Sequence, residues 1–348
     1  MSLSSHIDSH IHLWPSSASN ESAHSWMTPG MPLAKPHLLS DYFHATKNPS
    51  QTQIEGVVYV ETDRALLTPT SDLSTWAAEA IKETTFLRSI VEGHYGPEAN
   101  SKLLGIVLWA PMDQPTATLL EWLKLAEQTA GPETWRRVKG FRFLLQGLRE
   151  EEMFREVVLS GPFVENLKIL GQRGLSFDIG VDQHSSGAWQ LEIVEQAMRK
   201  AHEGVADGDK VMFIINHLCK PDFSNHTEPG REAEGFVRWK QAIEKMAKCE
   251  RTYMKLSGAF SELPETPTAQ TDVAAQIEPW VRHMFGYFGA KRVMFGSDWP
   301  VCNVNGPKDA SPFVVWVGFV ERLLQNLIPQ VEHQRVWSGT SREAYRLQ

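Results

Sequence analysis

Apolar residues along this chain gather in eight short runs rich in branched and aromatic side chains, at residues 6–13, 54–61, 103–109, 138–145, 175–181, 211–218, 252–258 and 292–297. Runs of this length, bounded by polar and turn residues, predict buried strands. Between them the apolar spacing becomes helical. Residues 72–92 carry Leu73, Trp76, Ala77, Ala80, Ile81, Phe86, Leu87 and Ile90, and residues 116–129 carry Leu119, Leu120, Trp122, Leu123 and Ala126. Segments 189–203, 231–249, 272–288 and 312–326 are similar. Strand alternating with helix predicts a parallel sheet. Eight such strands predict a closed (β/α)8 TIM barrel, one domain over residues 1–348. Pro- and Ser-rich stretches at 15–37 and 262–271 follow the first and seventh runs, on the face where barrel strands end. Residues 13–53 form a long first insertion, which predicts a lid.

Composition narrows the function classes. Hydrophobic residues make up 42% and charged residues 22%, as in soluble globular chains. The formal net charge is -8 and no basic tract appears, so nucleic acid is not an expected partner. No uncharged apolar stretch reaches the length of a membrane span, and no basic segment precedes an apolar run at the N-terminus. No membrane partner and a cytoplasmic location are therefore expected, with a homo-oligomer left open. Cys219, Cys249 and Cys302 are few, odd in number and widely spaced, so neither a disulfide framework nor a zinc-type pair is expected.

Barrel enzymes place their chemistry where strands finish. The first run holds His10 and His12, two apart and so on one side of a strand. The second ends in Glu61, followed by Thr62, Asp63 and Arg64, and the third ends in Trp109. The fourth carries Arg142; the fifth carries Asp178 and Asp182, with His184 beyond. The sixth ends in His217 with Lys220 after it; the seventh holds Lys255 and Ser257; the eighth ends in Asp298. Buried polar groups cost free energy unless paired, so their concentration at these ends points to a site. Trp14, Trp109 and Trp299 supply flat walls for a pocket. Lys139, near the start of its strand, belongs to the stability face, and Lys255 reads as structural. His6, His24, His37, His44 and His94 read as packing or solvent histidines, with the loop pair His24 and His37 able to reach the pocket.

The segments Ile-Asp-Ser-His-Ile-His-Leu-Trp, Lys-Gly-Phe-Arg-Phe, Asn-His-Leu-Cys-Lys-Pro, Lys-Leu-Ser-Gly and Met-Phe-Gly-Ser-Asp-Trp-Pro span residues 7 to 300 in this order. In them the chain resembles the amidohydrolase superfamily, specifically its amidohydrolase-2 lactonase branch, which includes sugar-acid lactonases and 2-pyrone-4,6-dicarboxylate hydrolase. The resemblance implies a distorted barrel and hydrolysis of a lactone. It carries over His10, His12, His217 and Asp298 as the central site and Arg142 as a substrate contact. Many superfamily members hold two metals through a histidine on strand five and a lysine or glutamate on strand four. Here those strands offer Asp178, Asp182 and Arg142, so a two-metal centre is not expected.

The resulting expectation is hydrolysis of a sugar-acid 1,4-lactone, with L-rhamnono-1,4-lactone the leading substrate. Asp298 is the general acid/base and His217 its catalytic companion. One divalent ion, zinc by preference, is expected on His10, His12 and Asp298, with metal-free catalysis left open. Arg142, Lys220, Glu61, Asp178, Asp182, Trp14, Trp109 and Trp299 are the expected substrate contacts. A metal-dependent decarboxylase of an aromatic acid, or a hydrolase of a pyrone dicarboxylate, are the alternatives.

Overall fold

The computed structural model describes residues 4–47, 52–224 and 232–348. Residues 48–51 of the 13–53 insertion and residue 231 of the expected 231–249 helix lie outside the described residues. Eight strands form the sheet: β1 Ser4–Ile11, β2 Thr52–Val60, β3 Leu103–Trp109, β4 Val138–Arg142, β5 Ser176–Ile179, β6 Met212–Ile215, β7 Thr252–Leu256 and β8 Val293–Phe295. Each pairs in parallel with the next in sequence order. The (β/α)8 barrel expected from the apolar runs is the fold.

Alternation along the strands makes two apolar layers. Val58, Val60, Val107, Met212, Ile214, Tyr253 and Met294 fill the barrel interior with Ala344, Tyr345 and Leu347 of the C-terminus. Their neighbours Tyr59, Leu108, Phe213, Met254 and Phe295 face outward into the larger core beneath the helices. The C-terminal residues plug the end where strands begin: Arg346 donates to the Lys139 carbonyl at 3.0 Å, and Leu347 packs by Gly105. Three helix tryptophans tie the outer layer to the opposite end. Trp122, Trp239 and Trp316 each donate their ring N–H at 2.8 Å, to the carbonyls of Trp109, Leu218 and Gly296. Burying an indole with its N–H paired gains the apolar area without leaving a polar orphan.

The helices differ from the sequence reading in several places. The segment expected as one helix over 72–92 breaks at Ala77 into Leu73–Trp76 and Ala78–Val91. After β4 the chain forms two unanticipated helices, Glu151–Val158 and Gly161–Gln172. Ser-Gly-Pro at 160–162 interrupts their apolar period, which hid them. The same tripeptide starts the second helix, since the Ser160 hydroxyl accepts from Phe163 N at 3.2 Å and Pro162 sits in the first turn. The first insertion also contains a helix, Leu39–Thr46. No helix among the described residues is long and apolar enough to cross a membrane.

Two features of β1 aim the site. Ile7 belongs to the interior and Ile11 to the outer core, although four residues apart on a regular strand they would share a side. The pairing explains this: Asp8 to Ile11 on β1 spans only Val57 to Tyr59 on β2. This bulge inserts a residue and reverses the alternation, so His10 and His12 turn inward. The barrel then closes between β1 and the segment after β8. Asp298 N donates to His10 O at 2.9 Å and His12 N to Trp299 O at 2.8 Å. Asp8 reinforces the seam by accepting from Ser297 N at 2.9 Å and from the Tyr42 hydroxyl at 3.0 Å.

Candidate active site

The closing seam brings His10, His12 and Asp298 together. His10 Nε2 is 3.2 Å from His12 Nε2, and Asp298 Oδ1 lies 3.7 Å from the first and 3.4 Å from the second. His217 joins from the end of β6, its Nε2 3.7 Å from the same oxygen. All four side chains are buried. The ring nitrogens turned away from the carboxylate are also engaged. His12 Nδ1 lies 2.8 Å from the Val60 carbonyl, which can only accept, so that nitrogen carries a proton and Nε2 is the one turned to the cluster. His217 Nδ1 meets the Ser257 hydroxyl at 2.8 Å, and His10 Nδ1 meets Lys255 Nζ at 3.1 Å.

Electrostatics divide these groups into a charged acid and uncharged bases. Burial pushes His217 down to about 3 and His10 well below its ordinary value, so both rings are uncharged at neutral pH. Burial alone raises a carboxyl, but the neighbouring His217, His12 and Lys220 together outweigh it and hold Asp298 below its usual range. At neutral pH Asp298 is therefore the ionised member of the cluster.

The backbone here is strained. His217, Leu218, Cys219 and Lys220 follow one another with φ of 53, 52, 63 and 47°, and Asp63 and Asp298 share the left-handed region at 54 and 61°. Each such non-glycine residue costs on the order of 1–2 kcal/mol. The turn swings His217 over Gly258, where a Cβ would lie 2.6 Å from His217 Nδ1.

A cavity of about 380 Å³ opens over the cluster. His12, Trp14, Arg142, Asp182, His217, Lys220 and Asp298 line it, as expected of site residues. Thr62, Asp63, Trp26, Gln146 and Arg149 also line it and were not assigned from sequence. Asp63 was visible as a strand-end residue; Trp26 and Arg149 sit in loops that carry no periodic signal. Burial and the neighbouring Glu61 push the Asp63 carboxyl up to about 6.

Four expected substrate contacts stand behind the cavity wall. Glu61 is fully buried; its carboxylate accepts from Arg142 Nε and its carbonyl from Arg142 Nη2 at 2.6 Å, so it holds Arg142 in place. Asp178, also fully buried, is bound to Lys255 and Tyr345. Trp109 packs edge-on against Trp76 and Trp122 in the helix layer, with ring centroids 5.7 and 5.0 Å away. Trp299 packs among His37 and Tyr42. Each sits at a strand end, as read from sequence, but is turned from the ligand space by its own partners. The loop histidines fasten the first insertion. His24 bonds Thr62 Oγ1 and Ala18 O, both at 2.8 Å, and His37 pairs its backbone with Trp14. A larger surface cleft of about 630 Å³, between residues 15–23 and the Ala78–Val91 helix, contains none of the clustered strand-end groups.

Over 352 aligned residues the chain is 28% identical to an L-rhamnono-gamma-lactonase of Scheffersomyces stipitis, covering 98% of both chains. It is 25% identical to an L-fucono-1,5-lactonase of Burkholderia multivorans, covering 98% of this chain and 96% of that one. An amidohydrolase from Burkholderia multivorans, solved with bound zinc, superimposes with a TM-score of 0.71 at 23% identity over the whole of both chains. The sequence profile of the amidohydrolase family matches residues 7–347, the barrel from its first strand to its C-terminal plug. The chain belongs to the amidohydrolase family.

Proposed function

We propose that this protein hydrolyses a sugar-acid 1,4-lactone to the open aldonic acid, with L-rhamnono-1,4-lactone or a stereochemical neighbour as substrate. The observation that carries the reading is an ionised Asp298, ringed by imidazoles, facing a cavity of about 380 Å³. Its lining cations are Arg142, Arg149 and Lys220, and its lining acids are Asp63, Asp182 and Asp298. That balance suits a small neutral polyol better than an aromatic dianion. The L-rhamnono-gamma-lactonase and L-fucono-1,5-lactonase named above support the same substrate class.

The chemistry follows from what a cyclic ester requires. Asp298 takes a proton from the water that attacks the lactone carbonyl, then returns it to the ring oxygen as the C–O bond breaks. His217 lies beside the same carboxylate oxygen and is aligned by Ser257. Arg142 has two guanidinium nitrogens committed to Glu61, and the third is left to orient a substrate hydroxyl or the new carboxylate. Lys220, 3.6 Å from Glu262, serves the same end from the opposite loop.

A single divalent ion fits the donors. His10 Nε2, His12 Nε2 and Asp298 Oδ1 lie 3.2, 3.4 and 3.7 Å from one another, so these three residues would hold a single ion between them. His12 turns Nε2 to the group with Nδ1 held by the Val60 carbonyl, the arrangement usual for a ligand histidine. When bound, such an ion polarises a carbonyl or lowers the pKa of water.

A pH-indicator screen of five- and six-membered aldonolactones tests the reading. Acid release from L-rhamnono-1,4-lactone or a close stereoisomer is the expected result. Carbon dioxide release from an aromatic acid, with every aldonolactone inert, would assign the site to the decarboxylase reaction.

A further inference from the structure

Away from the His–Asp cluster, Arg64 is a buried cation whose hydrogen bonds are unmade. It follows the end of β2 and is 4% exposed. Its counter-charge is Glu83, with Arg64 Nε 3.5 Å from Oε1. That oxygen already accepts from the Tyr59 hydroxyl at 2.6 Å, from Thr62 N at 3.0 Å and from Thr62 Oγ1 at 2.7 Å. Arg64 Nε is buried without a hydrogen-bond partner, and no group among the described residues accepts from the rest of the guanidinium. A guanidinium carries only donors, and buried donors left unmade are costly, most of all on a charged group. So exposed a deficit in so buried a group points to a missing acceptor.

Arg64 lines the cavity of about 630 Å³ between the first insertion and the Ala78–Val91 helix. Lys82, Phe86 and Ser89 recur at helical spacing along one wall, Ser17 and Ser22 stand on the other, and Tyr95 also lines the space. None of its lining residues is shared with the cavity over Asp298. We propose that this second cavity binds a small hydroxylated carboxylate, with the carboxylate on the Arg64 guanidinium and the hydroxyls on the serines and Tyr95. The planar fork of an arginine matches a carboxylate in shape and charge. The other lining cation, Lys82, is held by Glu79 at 2.6 Å. One available cation with Glu79 and Glu83 close by suits a monoanion and disfavours a phosphate dianion. The aldonic acid released by the proposed reaction is of this ligand class, but the inference rests on Arg64 and not on lactone hydrolysis.

Sodium gluconate is the probe, and Tyr95 is the reporter. Protein labelled with fluorotyrosine, with the Tyr95 19F resonance assigned through Tyr95→Phe, should show that resonance shifting saturably as gluconate is added. Glucitol, which lacks the carboxylate, and inorganic phosphate should give no saturable shift. In Arg64→Met the midpoint should rise at least ~10-fold, the scale of one lost hydrogen bond to a charged group. If Arg64→Met does not fold, because Glu83 is left buried without its counter-charge, Ser22→Trp decides. It fills the cavity from an exposed position and should raise the midpoint by a similar factor. An unmodified protein whose Tyr95 resonance does not respond to gluconate, or a folded variant with an unchanged midpoint, overturns the proposal. Saturation by phosphate or glucitol at lower concentration than by gluconate overturns the ligand class. The readout is binding at Tyr95, so inactivity on lactones would count against the proposed reaction alone.

Discussion

Glu61 grips Arg142 from two directions, through its carboxylate at Nε and through its own carbonyl at Nη2, 2.6 Å away. Both side chains are buried, so the pair is a mount for the guanidinium at the cavity wall. Glu61→Gln keeps the shape but loosens the grip. Its kcat/KM on the preferred lactone should fall by about 10²-fold, the cost of displacing a reacting group by roughly 1 Å. The melting temperature should fall as well, because the buried Arg142 loses its counter-charge. Unchanged kinetics in this variant would remove Arg142 from the substrate-binding role.

Gly258 is required by two independent constraints, a φ of 69° and the His217 ring directly above it. Gly258→Ala forces a Cβ to within 2.6 Å of His217 Nδ1 and strains the backbone. Turnover should drop about 10²-fold as His217 is pushed off its position beside Asp298, and thermal unfolding should shift downward. Normal turnover would mean that the placement of His217 does not matter to the reaction.

His6 is buried against Phe295 and Trp337, and neither ring nitrogen has a hydrogen-bond partner. Burial lowers it from 6.5 to about 4. In the unfolded chain it binds a proton below pH 6.5; in the folded protein it does so only near pH 4. The stability it contributes above pH 6.5 is therefore lost as the pH falls from 6.5 toward 4. His24 and His37, also lowered to about 4, add to the same slope. His6→Phe should flatten the fall in unfolding free energy over this range by up to about 3 kcal/mol. Denaturant melts at pH 7 and pH 5 measure it, and an unchanged slope would contradict the assignment.

At most one divalent ion per chain is expected. Among the described residues His10, His12 and Asp298 form the group able to hold one. Asp178, the acid that could have anchored a second on β5, is already engaged by Lys255 at 2.7 Å and by the Tyr345 hydroxyl at 2.8 Å. Elemental analysis after zinc loading and dialysis should return one ion or less. Two tightly held ions would require that Lys255 release Asp178.

Much of this was legible in the sequence because barrel strands are short apolar runs whose polar residues collect at one end. His10, His12, His217, Asp298, Arg142 and Lys220 were found by that rule alone. What the rule cannot give is which way a strand-end side chain turns. Trp109 and Trp299 were placed correctly along the chain but face packing partners, and Glu61 and Asp178 were found but serve Arg142 and Lys255. The inward aim of both strand-one histidines depends on a bulge whose extra residue has no sequence mark. Lys255 read as structural, and it is structural in a specific sense: its reach to His10 needs β7 and β1 in one frame. Ser257 and Gly258 act on His217 through a contact between residues about forty positions apart, beyond any local pattern.

The role of Asp298 is tested most directly by replacing its carboxylate with an isosteric amide. Asp298→Asn keeps the size of the side chain and can retain hydrogen bonds to His12, but it cannot accept a proton from water. Steady-state hydrolysis of L-rhamnono-1,4-lactone should then show kcat lowered at least ~10²-fold, the scale expected for a lost general base, in a protein that still melts cooperatively. Near-normal kcat in the folded variant would show that another group moves the proton and would contradict the mechanism at its centre.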